Sequence, residues 1–137
     1  MKAQIVEKVL SANDTGETGG HQSGILVPKD PAILDFFPRL NASVKNPRAV
    51  LNVLDRMGHQ WSFNFIHYNN RFFGGTRNEF RLTGMTAFFR EFNLKSGDVV
   101  ILRQVSPEHM NIEYRRGSSS RRVLKLTGTW KVIEGDF

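Results

Sequence analysis

The chain contains no cysteine, which excludes a disulfide framework, a thiol nucleophile and a cysteine-ligated zinc. No run of apolar residues approaches the length of a membrane span. The opening stretch MKAQIVEKVL alternates and carries charges, where a secretory signal would hold an unbroken apolar core. A cytosolic chain without a membrane partner is the expectation. Its histidines, His21, His59, His67 and His109, lack metal-ligand spacing. No two carboxylates and a lysine form a recognisable nuclease centre, and no nucleophile elbow is present. Neither catalytic residues nor a metal site are therefore expected. Internal repeats and long linkers are missing too, so residues 1–137 are expected to fold as one domain. That length is enough to bury a core without metals or disulfides.

Acidic residues are in the minority. Lysine and arginine number 19 against 13 for aspartate and glutamate, giving a formal net charge of +6 and a pI near 10.1. Such a balance implies an anionic partner. Arginine dominates around 71–81 and 115–122, and its planar fork suits phosphate and guanine better than the lysine ammonium does.

Hydrophobic patterning divides the chain into short strands. Ala3 to Leu10 alternates loosely, and Gly24 to Val27 is a short buried run stopped by Pro28. Ala49 to Arg56 and Trp61 to Tyr68 read as two strands joined around Gly58. In the second, Trp61, Phe63 and Phe65 alternate with Ser62 and Asn64, the period of a half-buried sheet. Val99 to Leu102 follows, then His109 to Tyr114, which can pair with Arg122 to Leu126 across Gly117 to Ser120. Trp130 to Ile133 is last. Two short helices are expected. Pro31 to Phe37 has Asp30 as cap, Pro31 at its first position and Pro38 as its end; the other is Met85 to Phe92. Seven or eight strands with two short helices favour a closed or nearly closed antiparallel barrel.

Two polar loops interrupt this pattern, 11–24 (SANDTGETGGHQSG) and 69–81 (NNRFFGGTRNEFR), both too rich in glycine to be expected as helices. The first is no Walker loop, because His21 and Gln22 and then a strand follow its glycines instead of lysine, serine and a helix. Asn13, Asp14 and Thr15 fit side-chain turns of an ordinary hairpin connection, with DNA-backbone support as the functional reading. Turn geometry asks for neither His21 nor Gln22; glutamine can bond adenine bidentately, and histidine can donate to guanine or phosphate.

The second loop gathers Arg71, Arg77, Asn78, Glu79 and Arg81, side chains able to read base edges in a major groove. Arg77 is the first candidate for guanine O6 and N7. Glu79 has two readings: acceptor for a cytosine amino group, or internal partner that orients Arg77 or Arg81. Arg71 and Arg81 are assigned to phosphates, and Asn70 and Thr76 to support. Phe72, Phe73 and Phe80 are expected to anchor the loop to the barrel. The competing reading has them stacking on unpaired bases, as in a single-stranded DNA or RNA binder. Arg115, Arg116, Arg121 and Arg122 fit either a backbone-tracking cluster or a solvated hairpin tip.

The segments 10–28 (LSANDTGETGGHQSGILVP) and 67–83 (HYNNRFFGGTRNEFRLT) closely resemble the N-terminal effector domain of EcoRII-type restriction endonucleases, a member of the plant B3-like DNA-binding pseudobarrels. The run 88–105 (FFREFNLKSGDVVILRQV) is similar to the general B3 pattern. The resemblance implies an all-β, seven-stranded open pseudobarrel with two short α-helices. Its N-arm and C-arm loops would enter the major groove of a CC- and GG-containing site, typically CCWGG. It places His21 at an N-arm contact, and Arg77, Glu79 and Arg81, with Arg71 nearby, at C-arm contacts. It departs from the relative at Leu26, where the relative has an aromatic, and at Gly75 and Phe80, where the relative is basic. It further implies a cytoplasmic prokaryotic protein that needs no cofactor and binds double-stranded DNA, monomeric as an isolated domain, with a nuclease domain elsewhere in the same full-length protein.

Overall fold

The computed structural model describes residues 4–17, 24–117 and 130–133. The expected pairing of Arg122 to Leu126, together with His21, Gln22, Arg121 and Arg122, lies outside the described residues. Within them run β1 (Ile5–Val9), α1 (Ala12–Thr15), β2 (Ile25–Val27), α2 (Pro31–Leu34), β3 (Arg48–Leu54), β4 (Gln60–Tyr68), β5 (Glu79–Thr83), α3 (Thr86–Glu91), β6 (Val99–Ser106), β7 (His109–Arg115) and β8 (Trp130–Val132). The strands form one curled, open sheet of eight, in the order β2-β5-β4-β3-β7-β6-β1-β8.

Alternation sets the inner face. In the β3–β4 hairpin, Leu51 lies opposite Phe63, and Leu51, Val53, Phe63 and Phe65 are buried while Val50, Asn52 and Ser62 face out. The connecting turn closes on Gly58, whose φ of +85° is open to glycine at no steric cost. Asp55 holds this turn, accepting from the Met57 and His59 amides and from the Trp61 indole. Burial pushes its carboxyl up, but those hydrogen bonds outweigh it and hold Asp55 below the usual range.

Ile33, Phe36 and Phe37 from α2 and its following turn, and Phe88 and Phe89 from α3, complete the core with Val6, Leu102 and Ile112. The first helix expected from sequence is shorter than its pattern. After Leu34 the chain continues as i+3 turns, Phe36 to Ile33 and Phe37 to Leu34, because Pro38 bars α geometry before it while both phenylalanines turn inward.

Two further expectations need correction. The sheet is not wholly antiparallel, because β3 and β7 pair in parallel through Val53 with Met110 and Leu54 with Asn111. This short parallel contact joins two four-stranded halves, β2-β5-β4-β3 and β7-β6-β1-β8. Nor is the first polar loop free of helix. Ser11 caps α1 in a reciprocal box with Asp14, and Gly16, at φ +85°, ends it. Gly16 follows the helical turn and terminates it instead of preventing it.

Candidate nucleic-acid interface

The β2–β5 pairing sets the two arms relative to each other. Ile25 lies opposite Leu82 and Val27 opposite Phe80. The N-arm therefore meets this strand pair at one end and the C-arm at the other, roughly 10 Å apart at the rise of extended chain. Gly24 closes the N-arm at φ +91°, where a Cβ would fall 2.6 Å from the Leu82 carbonyl oxygen.

The N-arm root is bolted to the sheet. The Lys8 ammonium and the Ser11 amide both donate to Asp14 Oδ2 at 2.8 Å, and Lys8 and Asp14 are both buried. Asp14 thus serves the fold, through a helix cap and a buried ion pair where a side-chain turn of a hairpin was expected. The Ser96 amide donates to Glu17, and Gly97 and Asp98 exchange backbone bonds with Leu10. Behind that turn, Arg116 donates to the carbonyls of Phe92 and Asn93 that end α3, and to Asp98. Arg115 forks onto both oxygens of Glu7, which raises its pKa. Both arginines are held by protein partners at the foot of the N-arm. Their side chains nonetheless remain about half exposed.

The C-arm is folded by its own asparagines. Asn69 is fully buried; its amide group accepts from the Asn46 N–H and donates to the Val44 carbonyl, at 2.7 and 2.9 Å. Residues Asn70–Phe73 make a 3₁₀ turn ended by Gly74 in the left-handed region. The Asn70 side chain accepts from the Arg77 amide at 2.7 Å, and the Arg71 amide donates to the Arg77 carbonyl at 2.9 Å. A Cβ on Gly75 would fall 2.7 Å from the Asn70 side chain, which would have to shift to admit it.

The arm's charged centre is a clamp on one oxygen. Glu79 Oε2 accepts from Arg77 Nε and Nη2 at 3.0 and 2.8 Å, and from Arg81 Nε at 2.8 Å. Arg81 Nη1 reaches the Gly24 carbonyl at 2.9 Å, tying the C-arm to the end of the N-arm. Arg77 lies over the Tyr68 ring at 4.0 Å, a cation–π contact that fixes the plane of its fork. Burial pushes the Glu79 carboxyl up, but the Arg81 and Arg77 bonds overcome this and hold it below the usual glutamate range. Glu79 is thus ionised at neutral pH and orients both arginines, the second of its two sequence readings. The base-acceptor reading keeps Oε1.

Asn78 Oδ1 meets His67 Nε2 at 2.8 Å, and His67 stacks on Phe80 at 4.0 Å. Phe80 also stacks on Phe65 and anchors the arm, as expected. Phe72 and Phe73 do not: they are 64% and 44% exposed. The short turn between Asn70 and Gly74 carries them away from the sheet. Thr76 and Arg71 are exposed beside them. Sequence reasoning misses Tyr68, His67 and Asn69. Tyr68 lies opposite Glu79 in the β4–β5 register, and that hairpin symmetry about the loop was the available signal. Among the described residues no cluster of three or more His, Asp or Glu could hold a metal, and no helix is long and apolar enough to cross a membrane.

An open, curled β-sheet of this kind is the fold of the B3-like DNA-binding domains. The Arabidopsis FUS3–DNA complex has the same fold, with a TM-score of 0.63 over 82% of this chain and 96% of that chain at 21% identity. Residues 2–108 match the family described as restriction endonuclease EcoRII, N-terminal, and the chain belongs to that family. It is 43% identical over 79 residues, 56% of its length, to the type II restriction enzyme EcoRII of Escherichia coli. It is 28% identical over 90% of its length to the AP2/ERF and B3 domain-containing transcription factor RAV1 of Arabidopsis thaliana. The chain spans 19% of the length of EcoRII and 35% of that of RAV1.

Proposed function

We propose that this chain recognises a short duplex DNA site by placing the loops 11–24 and 69–81 in the major groove. The target is a CC- and GG-bearing sequence such as CCWGG, and the chain acts as the recognition domain of a restriction endonuclease whose nuclease part lies elsewhere in the full-length protein. The carrying observation is the clamp of Arg77 and Arg81 on Glu79 Oε2. A guanidinium fixed along one edge by a carboxylate and below by Tyr68 keeps its remaining N–H groups for guanine O6 and N7. Glu79 Oε1 is suited to a cytosine amino group on the opposite strand. One arginine–carboxylate unit then reads both partners of a G·C pair.

Arg71 and Thr76, exposed on the same arm, take phosphates, and Asn70 supports the arm from within. Asn13 and Thr15 support the N-arm, while His21 and Gln22 read bases. Arg115 and Arg116 belong to the supporting set, acting through Glu7 and Asp98 at the N-arm root. The domain works as a monomer and needs no cofactor.

Fluorescence anisotropy tests this with a CCWGG duplex, a scrambled duplex and the CCWGG single strand, each at two salt concentrations. Phosphate contacts alone would bind every sequence and collapse as salt rises. The expected result is a preference for the CCWGG duplex of about a thousandfold at the higher salt. Equal binding of both duplexes would remove the specific reading. The exposure of Phe72 and Phe73 favours a second reading, single-strand binding by stacking, which predicts that the single strand wins.

A further inference from the structure

Water covers much of the rings of Phe72 and Phe73, side by side on an arm otherwise made of hydrogen-bonding groups. The fold gives them no packing role of the kind it gives Phe80, which is sandwiched between Phe65 and His67. Their backbone is nonetheless fixed. The 3₁₀ turn that carries them begins at Asn70 and is held to Arg77 by two hydrogen bonds, at 2.7 and 2.9 Å. The backbone of this turn therefore travels with that of Arg77, so a docked Arg77 brings both residues to the same stretch of groove. A major groove offers one apolar group for such a surface, the C5-methyl of a pyrimidine.

We propose that Phe72 and Phe73 form an apolar reader of a pyrimidine C5-methyl group, with thymine as its source, beside the base pair taken by Arg77 and Glu79. This rests on the duplex reading above and deepens it: the arm tells A·T from G·C by a methyl contact and G·C from A·T by the arginine–carboxylate clamp. In CCWGG the methyl in question belongs to the central thymine.

The test replaces only that thymine by uracil, which removes the methyl and keeps pairing and stacking. Wild-type protein, Phe72→Ala and Phe73→Ala are titrated against the CCTGG duplex, its uracil counterpart, a scrambled duplex and the CCTGG single strand, with thermal melts to show that the variants fold. Loss of one buried methyl is expected to weaken wild-type binding about fourfold. At least one alanine variant should bind the thymine duplex that much more weakly and no longer tell thymine from uracil. A uracil duplex with 5-methylcytosine in place of cytosine separates the two methyl sources. Affinity regained there by wild type alone would overturn thymine as the source, and no regain would support it.

Equal wild-type affinity for the thymine and uracil duplexes, with the preference over scrambled DNA intact, would overturn the methyl reader and leave the duplex reading standing. A thymine–uracil difference that persists in both variants would overturn it as well. Tighter binding of the single strand, lost in Phe72→Ala, would overturn both in favour of base stacking, and no preference for CCTGG over scrambled DNA would do the same.

Discussion

Glu79 shows how one side chain can decide what a basic loop reads. Without a carboxylate, Arg77 and Arg81 would repel each other and sample many rotamers; with it, three donors converge on Oε2. Arg77 is 39% and Glu79 28% exposed, so solvent screens the pair and its worth to stability is about 1 kcal/mol at most. Its larger effect is on orientation. Glu79→Gln keeps the shape and removes the charge, and should cost roughly tenfold in discrimination between CCWGG and scrambled duplexes. Stability carries a pH signature. The folded carboxyl titrates below its ordinary 4.5, so the pairing contributes fully above that value and is lost as pH falls through the lowered one. Urea melts of wild type and Glu79→Gln should therefore differ at pH 6, and the gap should shrink as the solution is acidified below pH 4.5. A gap that stays constant across that range would contradict the ion-pair account.

At the scale of elements, the two arms are built differently. The N-arm starts as a capped helical turn whose Asp14 neutralises a buried lysine, so its root belongs to the core. The C-arm is a polar turn resting on Asn69 and Asn70, with its apolar side chains turned outward at the tip. Asn70→Ala removes the acceptor that holds the Arg77 amide while leaving the core untouched. Hydrogen exchange should show the Arg77 amide deprotected, CCWGG affinity should fall about three- to tenfold, and the thermal midpoint should move little, in line with one lost hydrogen bond of about 1 kcal/mol. A large fall in melting temperature would instead mean that the arm is part of the folding unit.

Across the whole molecule, β2 and β8 stand at the two ends of the strand order among the described residues. They do not pair through their backbones. The Trp130 indole N–H donates to the Leu26 carbonyl at 2.9 Å, so a side chain from one edge strand bridges to the other. The same ring packs edge-on against Phe37 at 5.8 Å. Trp130→Phe should keep the packing and lose the bridge. Unfolding free energy should drop by about 1 kcal/mol, and amide exchange in β2 should accelerate more than in β3 or β4. Uniform acceleration across all strands would show that the seam has no local role. Because β2 begins where the N-arm ends, a loosened seam should also weaken DNA binding.

Period-two alternation, proline and glycine punctuation and a cysteine-free basic composition were enough to mark the all-β class and every described strand except β5, whose Glu79 to Arg81 were read as part of the second polar loop. These signals are local, because a strand's burial pattern is written in its own residues. The sequence also placed Arg77, Glu79 and Arg81 in one arm. It could not say which way Glu79 faces, since that depends on Tyr68 across the hairpin and Gly24 on another strand. The parallel joint between β3 and β7, the seam at Trp130 and the outward turn of Phe72 and Phe73 were likewise settled only in three dimensions. Each depends on a partner far along the chain or on the length of a turn, and neither leaves a periodic trace in the residues concerned.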